Sequence, residues 1–140
     1  MNIILLSGGS GKRLWPLSND IRSKQFIKLF KDDNGNYESM VQRVYRQITT
    51  VNPMVKVTVA TSKNQVSVIK SQLGEKINIC VEPSRRDTFP AILLAAAYIH
   101  YELGIGVEEC IAVCPVDPYV DNDYYKCVGE LENLVEAGTA

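Results

Sequence analysis

The chain has 140 residues, of which 46% are hydrophobic and 22% are charged, values typical of one globular domain with its own core. Fifteen lysines and arginines nearly balance sixteen aspartates and glutamates, so the formal net charge is -1. This balance argues against a general affinity for nucleic acid or for an anionic membrane surface. Any anionic ligand must therefore be bound by a local cluster of groups.

The hydrophobic pattern alternates between short apolar runs, typical of buried strands, and longer stretches with helical spacing. Strands are predicted at residues 2–7, 55–60, 77–82 and 110–115, and helices at residues 39–50, 62–73, 88–103 and 122–137. Strands that alternate with helices imply right-handed crossovers. We therefore predict an α/β fold with a doubly wound, Rossmann-like, mostly parallel sheet and helices on both faces.

Local signals support these boundaries. Ser62 is a candidate N-cap for the second helix, and Gly74 follows its end. Thr88 opens the third helix with Pro90 inside the first turn, where a missing backbone N–H costs little. The polar segment KDDNGNYE at residues 31–38 is typical of a surface turn.

The four cysteines contain no CxxC pair, and the apolar start lacks the features of a signal peptide. No apolar stretch approaches membrane-spanning length. These features favour reduced, buried thiols in a cytoplasmic protein without a membrane partner. A zinc site is the alternative, but His100 is the only histidine and lies in an apolar helical pattern.

A glycine-rich segment follows the first strand, where parallel sheets bind ligands. Glycines bring backbone N–H groups close to phosphate oxygens, and an arginine offers a bidentate fork. A P-loop would need glycine in place of Leu6 and Ser or Thr in place of Arg13, and a dinucleotide fingerprint would need glycine in place of Leu14. The candidate nucleotide-binding residues here are Leu6, Ser7, Gly8, Gly9, Ser10, Gly11, Lys12 and Arg13.

Two further blocks follow later strands. In EPSRRDTFPAI, a carboxylate could accept hydrogen bonds from a guanine edge while Arg85 and Arg86 approach phosphate. The candidate nucleotide-binding residues in this block are Glu82, Pro83, Arg86, Asp87 and Thr88. In CPVDPYV, Asp117 lies just past the fourth strand and offers the hard oxygen ligands that Mg²⁺ prefers. Alone, each block would also fit an ordinary surface turn.

Together these segments resemble the sugar nucleotidyltransferase family, whose opening loop is similar to GGSGKRLWPLS. The continuation Trp15 to Ser18 and the KQF at Lys24 to Phe26 resemble the mannose-1-phosphate guanylyltransferases within it. Three positions depart from that pattern, with Ser23 in place of proline, Asp87 in place of asparagine and Pro118 in place of histidine.

The resemblance implies the reaction of GTP with mannose 1-phosphate to give GDP-mannose and pyrophosphate. It implies Arg13 and Lys24 as catalytic residues and Asp117 as a ligand of a Mg²⁺ cofactor. It also implies that residues 1–140 form the N-terminal nucleotide-binding part of a longer domain. We therefore expect the chain to bind GTP weakly without completing the transfer.

Two alternatives stay open: a nucleotidyltransferase for another sugar phosphate, and a stand-alone nucleotide-binding or regulatory module without transferase chemistry. A sheet that ends near residue 140 would expose apolar surface, so we expect self-association into a homo-oligomer.

Overall fold

The computed structural model describes residues 1–8, 18, 23–84 and 86–138. All of the predicted strands and helices are present, with boundaries shifted by a few residues. In chain order the elements are β1 (Asn2–Leu6), β2 (Phe30–Lys31), β3 (Tyr37–Glu38), α1 (Met40–Val51), β4 (Lys56–Ser62), α2 (Val66–Leu73), β5 (Asn78–Glu82), α3 (Thr88–Tyr101), β6 (Ile111–Pro115) and α4 (Asn122–Glu136). Single turns of 3-10 helix lie at Lys24–Phe26 and Lys63–Gln65.

The main sheet has the strand order β5-β4-β1-β6, and every neighbouring pair is parallel. The chain moves outward from β1 through β4 to β5 and then crosses back to place β6 on the other side of β1. Strand order therefore reverses between β1 and β6. In open α/β sheets, ligands bind beyond the carboxyl ends of the strands at such a reversal.

The core has two parts, one on each face of the sheet. On one face Leu5 and Val59 pack with Val44 of α1 and Ile69 of α2, and Tyr125 of α4 joins them. On the other face Ile4, Ala60 and Cys80 pack against Ala95 and Ile99 of α3. Helices on both faces of a parallel sheet confirm the predicted doubly wound α/β fold.

The second helix does not begin at the predicted residue. Ser62 is still the last residue of β4, because it pairs with Glu82 of β5 and keeps an extended backbone. Its side chain makes no capping hydrogen bond, and α2 begins only at Val66 after one 3-10 turn. The predicted end is confirmed, since Gly74 follows α2 with a φ of 100°.

The segment at residues 31–38 is the predicted turn, and it joins the two short antiparallel strands β2 and β3. The Asp32 carboxylate accepts hydrogen bonds from the backbone N–H groups of Asn34 and Asn36 at 2.9 and 2.8 Å. The bond from Asn36, with a smaller contribution from Asn34, stabilises the carboxylate and lowers the pKa of Asp32 below its ordinary value.

All four cysteines are free, but they are not all buried. Cys80 and Cys114 are buried, and this burial raises the pKa of both thiols. Cys110 is half-buried, and Cys127 is exposed because it lies on α4 two positions beyond the inward-facing Tyr125. The prediction of a buried thiol was wrong for Cys127. Among the residues with described positions, no helix combines the length and apolar composition that a membrane crossing requires.

Candidate functional site

A cleft of about 480 Å³ lies at the carboxyl ends of β1, β4 and β5, beside the start of α3. Its volume falls within the range of roughly 300–1,000 Å³ that is usual for small-molecule sites. The lining residues are Leu6, Gly8, Ala60, Glu82, Asp87, Thr88 and Ala91. The fold thus brings the residues that follow β1 together with those at and beyond the end of β5.

Gly8 and Glu82 lie close together in the lining of this cleft. A Cβ atom added to Gly8 would lie 2.9 Å from Oε1 of Glu82, closer than real Cβ contacts come. The missing side chain at Gly8 therefore lets the half-buried Glu82 carboxylate approach the backbone after β1. This contact places a hydrogen-bond acceptor directly beside the segment predicted to bind phosphates.

Asp87 contributes a second carboxylate to the cleft. It is the one non-glycine residue with positive φ within the described ranges, at φ 72° and ψ -174°. This backbone region favours glycine and costs a larger residue on the order of 1–3 kcal/mol. Asp87 immediately precedes α3, and its side chain makes no capping bond to the helix. The carboxylate is thus not occupied in closing the helix end.

A second polar pair lies where strand order reverses. Lys24 belongs to the 3-10 turn after β1, and Asp117 lies two residues past the end of β6. The distance from Lys24 Nζ to Asp117 Oδ2 is 3.0 Å, and the two side chains are 28% and 50% exposed. Both residues were predicted from the sequence to serve phosphate chemistry, but their pairing was not.

A buried polar network holds the turn that carries Lys24. Gln25 Nε2 donates to the backbone oxygen of Ser7 at 2.6 Å. Gln65 Nε2 donates to Ser23 Oγ at 2.9 Å, and Gln65 Oε1 accepts from Thr61 Oγ1 at 2.7 Å. The turn is therefore tied to the ends of both β1 and β4. Neither Gln25 nor Gln65 was among the residues predicted from the sequence, although Gln25 lies within the KQF motif.

The other candidate residues have different surroundings. Ser7 is buried beneath the site, and no partner for its hydroxyl exists within the described parts of the chain. Pro83 and Arg86 are exposed and do not line the cleft, and Arg86 Nε donates to Ser84 Oγ at 3.3 Å. The candidates Gly9, Ser10, Gly11, Lys12 and Arg13 lie outside the described residues, as does Arg85.

No three His, Cys, Asp or Glu side chains form a metal-binding group in the described part of the molecule. Within these residues, Asp117 is therefore not part of a ready-made cluster of three metal ligands.

Comparison with known proteins connects this arrangement to a family. Residues 2–140 match the family described as Nucleotidyl transferase. The alginate biosynthesis protein AlgA of Pseudomonas putida is 34% identical over 123 residues, covering 85% of this chain and 24% of AlgA. The mannose-1-phosphate guanylyltransferase of Escherichia coli is 33% identical over 97 residues, covering 66% of this chain and 19% of that enzyme. The chain thus spans about a fifth to a quarter of the length of these relatives.

Solved structures agree in fold. A structure described as mannose-1-phosphate geranyltransferase from Thermus thermophilus has a TM-score of 0.71 and 28% identity, covering 92% of this chain and 36% of that one. A Helicobacter pylori mannose-6-phosphate isomerase has a TM-score of 0.66 at 20% identity, covering 98% of this chain and 47% of that one, and it supports the fold alone. With a family match from residue 2 to residue 140 and a matching parallel sheet, the chain belongs to the nucleotidyl transferase family.

Proposed function

We propose that this chain provides the nucleotide-binding part of an enzyme that transfers GMP from GTP to mannose 1-phosphate, releasing pyrophosphate. The observation that carries the proposal is the shared edge of the sheet, which holds the Gly8 and Glu82 cleft and the Lys24 and Asp117 pair together. Similarity to a relative named mannose-1-phosphate guanylyltransferase supports the choice of substrates. The free thiols fit a reducing compartment, and we propose a cytoplasmic location.

The proposed reaction is a direct displacement. A phosphate oxygen of mannose 1-phosphate forms a bond to the α-phosphorus of GTP as the bond to the bridging β-phosphate oxygen breaks. No covalent enzyme intermediate is needed, so catalysis depends on positioning and on neutralising charge as pyrophosphate leaves. We assign the backbone N–H groups of the glycine-rich loop and Arg13 to the β- and γ-phosphates, and Lys24 to the α-phosphate.

The carboxylates in the cleft favour guanine over adenine. Guanine presents the donors N1–H and N2–H₂ on its Watson–Crick edge, whereas adenine has an acceptor at N1. Glu82 and Asp87 both line the cleft, and ionised carboxylates only accept hydrogen bonds. Carboxylate oxygens in the cleft can therefore accept hydrogen bonds from the guanine edge. The same oxygens would repel the lone pair on adenine N1.

The surroundings of Asp117 fit a magnesium ion bound together with substrate. Its carboxylate is half exposed, so a hydrated ion can reach it. Magnesium is commonly held by one or two carboxylates together with substrate phosphates and water. When bound, the ion would neutralise part of the charge on the phosphates.

Titration calorimetry of the chain with GTP, UTP, ATP and dTTP in the presence of Mg²⁺ tests this proposal. We expect GTP to bind most tightly, and Glu82→Gln to weaken GTP binding about 10- to 100-fold while leaving ATP unchanged, since hydrogen bonds to charged groups contribute about 1.5–3 kcal/mol. Glu108→Gln is the matched control because Glu108 is exposed between α3 and β6. Equal affinity for all four nucleotides would remove the guanine assignment.

A further inference from the structure

The Lys24 ammonium pairs with one of the two carboxylate oxygens that Asp117 could offer to a metal ion. Its nitrogen is 3.0 Å from Oδ2 of Asp117, a full ion-pair contact. The two side chains are 28% and 50% exposed, so water reaches the pair and screens it. The contact is therefore close enough to compete for the Oδ2 oxygen and exposed enough to be exchanged.

The backbone beneath Lys24 is held from two sides. Phe26 is only 5% exposed, and its backbone oxygen accepts a hydrogen bond from Gln72 Nε2 at 2.9 Å. The neighbouring Gln25 is buried and bonded to the Ser7 backbone. On the Lys24 side, release of Asp117 is therefore expected from rotation of the long, flexible lysine side chain and not from movement of the turn.

Local charge decides when that rotation is favourable. With Lys24 in place, the carboxylate and ammonium sum to zero, so a divalent cation gains little attraction and meets repulsion from the ammonium. A triphosphate reverses this balance because its oxygens can bind the ammonium and also coordinate the cation. Before nucleotide binds, the Lys24 ammonium pairs with the Asp117 carboxylate. After nucleotide binds, it can pair with the more highly charged triphosphate.

We propose that Lys24 is a built-in competitor for the cation at Asp117, so that a divalent ion binds there only together with a nucleoside triphosphate. This inference rests on the proposed function, because it takes Asp117 as a metal ligand. It makes metal binding and nucleotide binding cooperative, and the coupling must act equally in both directions. The pair thus keeps free metal out of the empty site.

Manganese binding, followed by the relaxation rate of water protons, tests the competition without an activity assay. We expect Lys24→Met to bind Mn²⁺ without nucleotide at least about tenfold more tightly than the wild type, because methionine removes the competing charge. Lys28→Met is the matched control, since Lys28 is exposed four residues further along and its loss changes the net charge equally. Adding Asp117→Asn to Lys24→Met should abolish the gain.

The outcomes separate this inference from the function on which it rests. Equal Mn²⁺ affinity in Lys24→Met and Lys28→Met would overturn the competition. If the wild type then takes up Mn²⁺ with GTP, the proposed metal site at Asp117 stands without it. Absence of Mn²⁺ binding in every variant, with and without GTP, would overturn the metal assignment as well. Urea midpoints for each variant establish that all four proteins are folded.

Discussion

Tyr125 places a polar group inside the larger part of the core. Its side chain is 3% exposed, and its hydroxyl has no hydrogen-bond partner among the described residues. Burial, with a smaller contribution from the nearby Cys114, raises the pKa of Tyr125 to about 12. The folded chain therefore holds this phenol proton more tightly than the unfolded chain, in which a tyrosine pKa is about 10.

The raised pKa predicts a loss of stability at alkaline pH. Below pH 10 both states keep the proton and Tyr125 adds no pH dependence. Between pH 10 and 12 the unfolded state binds fewer protons, so the free energy of unfolding falls, by about 1 kcal/mol at pH 11. Urea unfolding at pH 8 and pH 11 measures this fall, which should shrink by that amount in Tyr125→Phe. An identical fall in both proteins would contradict the assignment.

Part of the candidate site could be predicted from sequence, because the ends of parallel strands meet at one edge. Gly8 lies just past the end of β1 and Glu82 is the last residue of β5, so this placement puts them at the same edge of the sheet. The Lys24 contact with Asp117 joins residues 93 positions apart, and it depends on how one turn folds back under β1. The buried Gln65 was missed because glutamine is usually exposed, so its sequence position carries no signal of burial.

Two serines precede helical segments but act differently. Ser39 forms a capping box at the start of α1, in which its hydroxyl accepts from the Gln42 backbone and the Gln42 side chain accepts from the Ser39 backbone. The same hydroxyl donates to Gln72 Oε1 at 2.6 Å. Ser62 stands before a 3-10 turn and makes no capping bond.

This contrast predicts unequal effects of the same substitution. Ser39→Ala should lower the free energy of unfolding by about 1–2 kcal/mol, because it removes the cap and leaves Gln72 without its donor. Ser62→Ala should change stability by less than about 0.5 kcal/mol. Urea unfolding at neutral pH compares the two. Equal losses would mean that the hydroxyl of Ser39 does not stabilise α1.

The longer elements were predictable because each carries several periods of its hydrophobic pattern. The antiparallel pair of β2 and β3 was not predicted, because a strand of two residues is too short to show an alternation of hydrophobic and polar residues. The start of α2 was misplaced because Ser62 is a good cap by type, while pairing with Glu82 kept it in the strand. Tertiary contacts thus overrode local preference at that boundary.

At the scale of the whole molecule, α3 is covered on one side only. It contains no Asp, Glu, Lys or Arg, and a helix that is apolar all round is normally buried. Ala95 and Ile99 pack on the sheet, whereas Phe89, Leu93 and Tyr101 are 73%, 60% and 80% exposed. These three side chains form an apolar stripe along the outer face of the helix.

We expect the chain to self-associate through this stripe. Leu93→Gln should lower the average mass measured by light scattering at high protein concentration, because it breaks the centre of the apolar surface. Leu131→Gln is the matched control, since Leu131 is 55% exposed on α4, away from α3. If both variants lower the mass equally, the association is not specific to α3.

The central position of β1 also affects how the protein is made. Its partners begin at Lys56 and Ile111, so β1 leaves the ribosome long before either neighbour can pair with it. At roughly 5–20 residues per second, the wait for β6 is on the order of 10 s. During that time Ile3, Ile4 and Leu5, all buried in the finished sheet, remain uncovered. The strand order therefore leaves one edge of β1 unpaired, with apolar side chains open to non-native contacts, until β6 has been synthesised.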